Sequence, residues 1–214
     1  MREGSVAVYM KSKFSAKKAE QWEHEIITSH EDLKEWLYYE SRKYNSRTKI
    51  GNFICLTEQD YIWKYQRLLR KTEYYLNTGR KLRFYLAMVL LNRWRIKYGM
   101  NIRLNSCGKG LKIMHIGSIL TNGDIGRDCR LHINVSIVSG GKEQMVPTLG
   151  DSIVVGVGAI IVGGICLADG IAVGANALVN KTFDERNITI AGVPAKKISS
   201  SGSEVWGLEK ENHA

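Results

Sequence analysis

Histidine is the side chain whose charge changes near neutral pH, and it is the commonest carrier of protons in catalysis. The chain carries five: His24, His30, His115, His132 and His213. Only His115 and His132 fall within the one stretch of the sequence that repeats regularly. His115 stands two places after an aliphatic residue of the repeat, Ile113, and His132 directly follows another, Leu131. The thiols offer less chemistry. Cys55, Cys107, Cys129 and Cys166 are far apart and form no C-x-x-C pair. They read as reduced, small, buried residues of a cytosolic protein, with neither a disulfide nor a zinc role.

What must position the two histidines is a period of six. Stepping by six from Ile113 gives Ile113, Ile119, Ile125, Leu131, Ile137, Glu143, Leu149, Val155, Ile161, Leu167, Val173 and Val179, aliphatic at every place but Glu143. Small or β-branched residues come four places later, as at Gly117, Cys129, Ala159 and Ala177. Glycine often follows the aliphatic residue directly, as at Gly126, Gly150, Gly156 and Gly174. This period matches neither an α-helix nor the alternation of a hairpin sheet. It matches a solenoid in which each hexad is one short strand and a turn, and three hexads close a triangular coil. The aliphatic residue then points into the prism and stacks on its counterpart three hexads later, while glycine permits the turn dihedrals. The exception is VSGGKEQMVPT, between Ile137 and Leu149, which reads as a loop extruded from the prism without upsetting the phase. Long loops on rigid scaffolds tend to carry function.

The preceding part of the chain has a different character. Residues 1–100 hold 20 Lys/Arg against 11 Asp/Glu, a net of +9, whereas residues 101–214 have a net of +1. Of the 21 glycines, 15 lie between 101 and 200. These shifts coincide near Tyr98–Gly99–Met100 and divide the chain into an α-helical domain at 1–100, a β-helix domain at 101–198 and a tail at 199–214. Helices are expected over His30–Tyr44, capped by Ser29, over Tyr61–Leu76, and over Leu82–Tyr98, with Asn77–Thr78–Gly79 as the stop between the last two. They would cap one end of the prism and the tail would cover the other.

The overall charge of +10 invites a polyanionic partner. No nucleic-acid reader motif accompanies it, so nucleic acid is not the expected partner. Within 64–97 there are ten Lys/Arg and one acid, Glu73. That fits either a solvated basic helix face or peripheral contact between the helices and an anionic membrane face or a lipid-linked glycan. The first residues lack the apolar run of a signal peptide, and the longest apolar run, Phe84–Leu91, is too short to span a bilayer. The expected location is cytoplasmic.

The segments HIGSILTNGDIGRDCRLHINVSIVSGG, LGDSIVVGVGAIIVGG, IAVGANALVNKTF and ITIAGVPAKKI, together spanning about 100–198, resemble the hexapeptide-repeat acyltransferases, and within them the serine acetyltransferase-like branch. The resemblance implies a mainly β fold with an α-helical N-terminal region: a left-handed parallel β-helix, a triangular prism capped by helices. It implies acetyl-CoA as co-substrate and no metal. The zinc-binding relatives of such prisms need three histidines per site, and this prism has two. It implies a homotrimer or a dimer of trimers, with active sites between neighbouring prisms. His115 stands at the family's catalytic base, and Asn101 at the acid that orients it. Val157, Ala159, Ala175 and Ala177 match the pantetheine groove. Asn180 and Lys181 match a pair near the nucleotide end, and Lys196 in GVPAKK matches a basic residue facing CoA phosphate. Backbone N–H groups near Gly140 and Gly141 would receive the oxyanion. His132 reads as a coil-surface residue, with an approach to the acceptor as the alternative.

The chain departs from that pattern at the acceptor pocket. The family's Asp immediately before the base is Met114 here, and its Arg-His pair before the loop proline is Met145–Val146. Those exchanges remove the counter-ions for a zwitterion. The expected activity is therefore direct O-acetylation of a neutral hydroxyl on a sugar or surface glycan, as in polysaccharide biosynthesis, with His115 as general base. Serine O-acetylation for cysteine biosynthesis and N-acetylation of an amino sugar are the alternatives. A prism that only binds would need neither His115 nor the GVPAKK end.

Overall fold

The computed structural model describes residues 25–44, 57–140 and 145–206. Cys55, Gly141, Glu143, His24 and His213 lie outside the described residues.

Among the described residues, three helices come first. Helix α1, His30–Ser41, starts at Ser29, whose hydroxyl accepts from the Asp32 backbone N–H while the Asp32 carboxylate accepts from the Ser29 N–H. This capping box satisfies two amide groups that the first turn leaves open. Helix α2, Glu58–Asn77, repeats the device with Thr57 and Asp60. It begins three residues earlier than the apolar pattern indicates, because Glu58 and Asp60 are first-turn acids rather than packing residues. Helix α3, Lys81–Tyr98, ends at Gly99, which takes the left-handed conformation at φ 72°.

The chain then enters the prism. Fourteen short strands follow: β1 Met100–Ile102, β2 Lys112–Ile113, β3 Ile119–Thr121, β4 Asp124–Ile125, β5 Arg130–Leu131, β6 Val135–Val138, β7 Thr148–Leu149, β8 Val154–Val155, β9 Ile160–Val162, β10 Cys166–Leu167, β11 Ala172–Val173, β12 Leu178–Val179, β13 Thr189–Gly192 and β14 Ala195–Ser199. They stack into three sheets, ordered β1-β3-β6-β9-β12, β4-β7-β10 and β2-β5-β8-β11-β13-β14. Every pairing is parallel except β13 with β14. The three sheets are the faces of the prism. Ile113, Ile125, Leu131, Val155, Ile161, Val173 and Val179 point inward and are fully or almost fully buried.

The stacking differs from strict three-hexad spacing in two ways. Pairs that flank the loop are 24 residues apart, as in Asp124↔Thr148, Arg130↔Val154 and Ser136↔Ile160, so the loop adds one hexad's length while keeping the phase. On the first coil, Ile119 lies beside Val135, and Thr121 beside Ile137. The corner after β2 (residues 114–118) is two residues longer than the corner after β5 (residues 132–134). The longer corner is the one that carries His115.

The expected role of the glycines after the aliphatic residues is also corrected. Gly126, Gly150, Gly156 and Gly174 are places of close approach between coils; a Cβ on Gly156 would stand 2.8 Å from the Val173 carbonyl oxygen. The left-handed positions of the prism are shared between Asn105, Asp128, Asn134, Ser152, Asn176 and Asn187, most of them residue types that tolerate that region, and other glycines, Gly110, Gly158, Gly163, Gly170 and Gly192.

One apolar cluster joins Ile62, Trp63, Tyr65 and Leu69 of α2 and Leu91 of α3 to Met100, Ile102, Leu111 and Ile113 of the first coil. At this junction Arg70 is completely buried. It bonds Glu40 of α1 at 2.7 Å, Glu73 at 3.0 Å, and the Cys107 and Gly108 carbonyls of the first coil. Burial alone would lower the Arg70 pKa, but the two carboxylates hold it above its ordinary value. The described part of the tail rests on the side of the prism: Ser203 N–H donates to the Gly170 carbonyl, and Thr189 Oγ1 to the Ser201 carbonyl.

Candidate active site

The corner between β2 and β3 holds Met114, His115 and Ile116, and the first turn of α2 grips it. His115 Nδ1 lies 3.1 Å from Glu58 Oε2, while the Ile116 N–H donates to Glu58 Oε1 at 2.7 Å. Gln59 Nε2 donates to the Met114 carbonyl at 2.8 Å. Glu58 is the first residue of its helix, where the positive end of the dipole favours a carboxylate. The Ile116 N–H bond, with burial opposing and the His115 bond adding, lowers the Glu58 pKa below its ordinary value. With Nδ1–H donating to Glu58, Nε2 keeps its lone pair and can accept a proton. Both side chains are about half exposed, so a substrate can reach them.

Asn101, expected to orient His115, does not: Glu58 occupies Nδ1. Asn101 is an exposed residue in the middle of β1, on the next face of the prism. Glu58 had no signal in the sequence, because it reads as a helix-start acid. His132 lies one coil along, its ring centroid 6.5 Å from that of His115. Burial pushes its pKa down, and electrostatic repulsion from the neighbouring His115 ring and Arg130 adds to the effect.

The corners after β2, β5, β8 and β11 stack along one edge of the prism. His115, His132, Val157 and Ala175 therefore share that edge, with Val157 and Ala175 exposed. Ala159, expected in the pantetheine groove, is fully buried, and so is Ala177; both face the core and offer no side-chain contact. The β13–β14 hairpin extends the same edge, since Gly174 abuts Ala191, and it carries Lys196 exposed.

The remaining expected residues lie on a second edge. The loop leaves after β6, and its two stems rest on the corner after β9. Gly140 approaches Val162 and Gly163, and Met145 lies against Gly164. Val146 follows, half-buried. Asn180 and Lys181 occupy the same edge after β12, both exposed. One chain therefore does not bring Gly140, Met145, Val146, Asn180 or Lys181 onto the edge that carries His115.

No family model matches the chain. Among curated proteins, a stretch of 125 residues is 35% identical to a serine acetyltransferase of Helicobacter pylori strain J99, covering 56% of this chain and 72% of that protein. A serine acetyltransferase of Buchnera aphidicola is 27% identical over 151 residues, a match that spans only 54% of its length. Among solved structures, a serine acetyltransferase of Brucella abortus in complex with coenzyme A superposes with a TM-score of 0.57 at 20% identity, over 79% of this chain and 67% of that one.

Proposed function

The chain belongs to the serine acetyltransferase branch of the hexapeptide-repeat acyltransferases, which fold as left-handed parallel β-helices, and from that membership we propose that it transfers the acetyl group of acetyl-CoA directly to a hydroxyl, with L-serine as the first acceptor to test. The observation that carries the reading is the His115–Glu58 pair. As the acceptor oxygen bonds to the thioester carbonyl, His115 Nε2 takes its proton. The C–S bond then breaks, and the proton passes to the departing thiolate. Glu58 holds the ring in the tautomer that leaves Nε2 basic and balances the imidazolium as it forms. It also supplies a carboxylate near the acceptor that Met114 does not, and a serine ammonium needs one. The names of the relatives support this acceptor, and the coenzyme A complex of the Brucella protein supports the donor.

The two edges of the prism meet only when a second copy stands alongside. A homotrimer would set the His115 edge of one chain against the Gly140 and Lys181 edge of the next. Val157 and Ala175 would then flank pantetheine, with Asn180, Lys181 and Lys196 toward the nucleotide and its phosphates.

A second reading rests on one feature of the sequence: Met114, Met145 and Val146 are apolar at the positions where the family pattern has the ions that hold a zwitterion. That favours a neutral hydroxyl, such as a sugar of a surface glycan. Release of CoA thiol from acetyl-CoA, measured with L-serine beside neutral and amino sugars, decides between them. Turnover with L-serine supports the first reading, and turnover with neutral sugars alone replaces it with the second.

A further inference from the structure

Helix α3 turns its apolar side outward. Ala87 and Leu91 are buried against the rest of the fold, yet Leu82, Tyr85, Leu86, Val89, Leu90 and Ile96 are between 49% and 86% exposed. Positions 82, 86, 89, 93 and 96 fall on one stripe of a helix, with Tyr85 and Leu90 on its flanks. The stripe runs for about 21 Å along the axis. Exposed Arg93 stands within it, and Arg83 and Lys97 border it. The helix carries five Lys/Arg and no acid.

We propose that this face of α3 docks on an anionic bilayer surface, lying in the plane of the headgroups. The charge pattern selects that occupant. A second copy packed on the same face would set Arg93 and its basic neighbours against an identical set, with no acid on α3 to pair them. A nucleic acid would satisfy the arginines but leave six apolar side chains uncovered. An anionic bilayer serves both: lipid phosphates pair the basic residues while the Leu, Val and Tyr side chains enter the acyl boundary. No helix among the described residues is long and apolar enough to cross a membrane, which fits a helix that rests on the surface. The His115 corner is not part of this face, so docking leaves the catalytic residues unaltered.

The test is co-sedimentation of the full chain with vesicles of phosphatidylcholine alone, or of equal parts phosphatidylcholine and phosphatidylglycerol. The expected result is binding about tenfold or more tighter to the anionic vesicles, weakened by added salt. Leu86→Asp with Val89→Asp should reduce that binding to background while CoA-releasing activity persists. Arg93→Glu, a single exposed change, should separately weaken binding to the anionic vesicles. Equal binding to both vesicles overturns the proposal. So does absence of binding, whether a second copy or other residues of the chain cover the face. A fall in assembly size in the Leu86→Asp, Val89→Asp variant would identify the second copy as the occupant and also contradict it.

Discussion

The family resemblance pointed to His115 as the base; nothing pointed to the carboxylate beside it. Glu58 lies 57 positions earlier and is indistinguishable in sequence from any helix-start acid, so only the docking of α2 on the first coil reveals the pair. Glu58→Gln keeps the size of the side chain and removes its charge. It should lower kcat while leaving the KM for acetyl-CoA unchanged, because Glu58 acts through His115 and not on the donor. Steady-state kinetics with acetyl-CoA varied checks this. His132 makes a separate prediction. Its pKa in the folded chain lies below the ordinary 6.5, so in mild acid the unfolded chain binds more protons than the folded one. Stability should therefore rise as pH increases through that region and fall below it. Denaturation midpoints across pH 5–8 should show this slope flattened in His132→Gln.

At the scale of elements, the hexad pattern contained nearly the whole prism, since each coil touches only its neighbours and its inward residue must be aliphatic. The corner lengths were hidden. Nothing in the sequence of residues 114–118 marks the two extra positions that replace the Ile119–Ile137 stack with Thr121 beside Ile137. Nor did it show that Asn, Asp and Ser would share the left-handed positions with glycine, or that the glycines after the aliphatic residues would serve close approach. The joint between helices and prism depends on Arg70, which the sequence offers only as one more basic residue. Arg70→Met would leave Glu40 and Glu73 buried without a cation. We expect a loss of about 3–5 kcal/mol in chemical denaturation, far more than replacement of an exposed arginine would cause.

For the whole molecule, the charge asymmetry and the helical cap were legible from composition, and the division of the expected site residues between two edges was not, because a repeat specifies coils without saying which corners face one another. That division predicts an assembly. Sedimentation should show a species of three 24.1 kDa chains, or a multiple of three, carrying the activity, and an active monomer would contradict it. The central claim is that His115, held by Glu58, removes the acceptor's proton. Its most direct test is the rate of CoA thiol release by His115→Ala beside the parent enzyme, at saturating acetyl-CoA and with the acceptor that supports turnover. A fall of roughly 10²–10⁴ with the assembly intact is expected; turnover at the parent rate would contradict a role for His115 as the base.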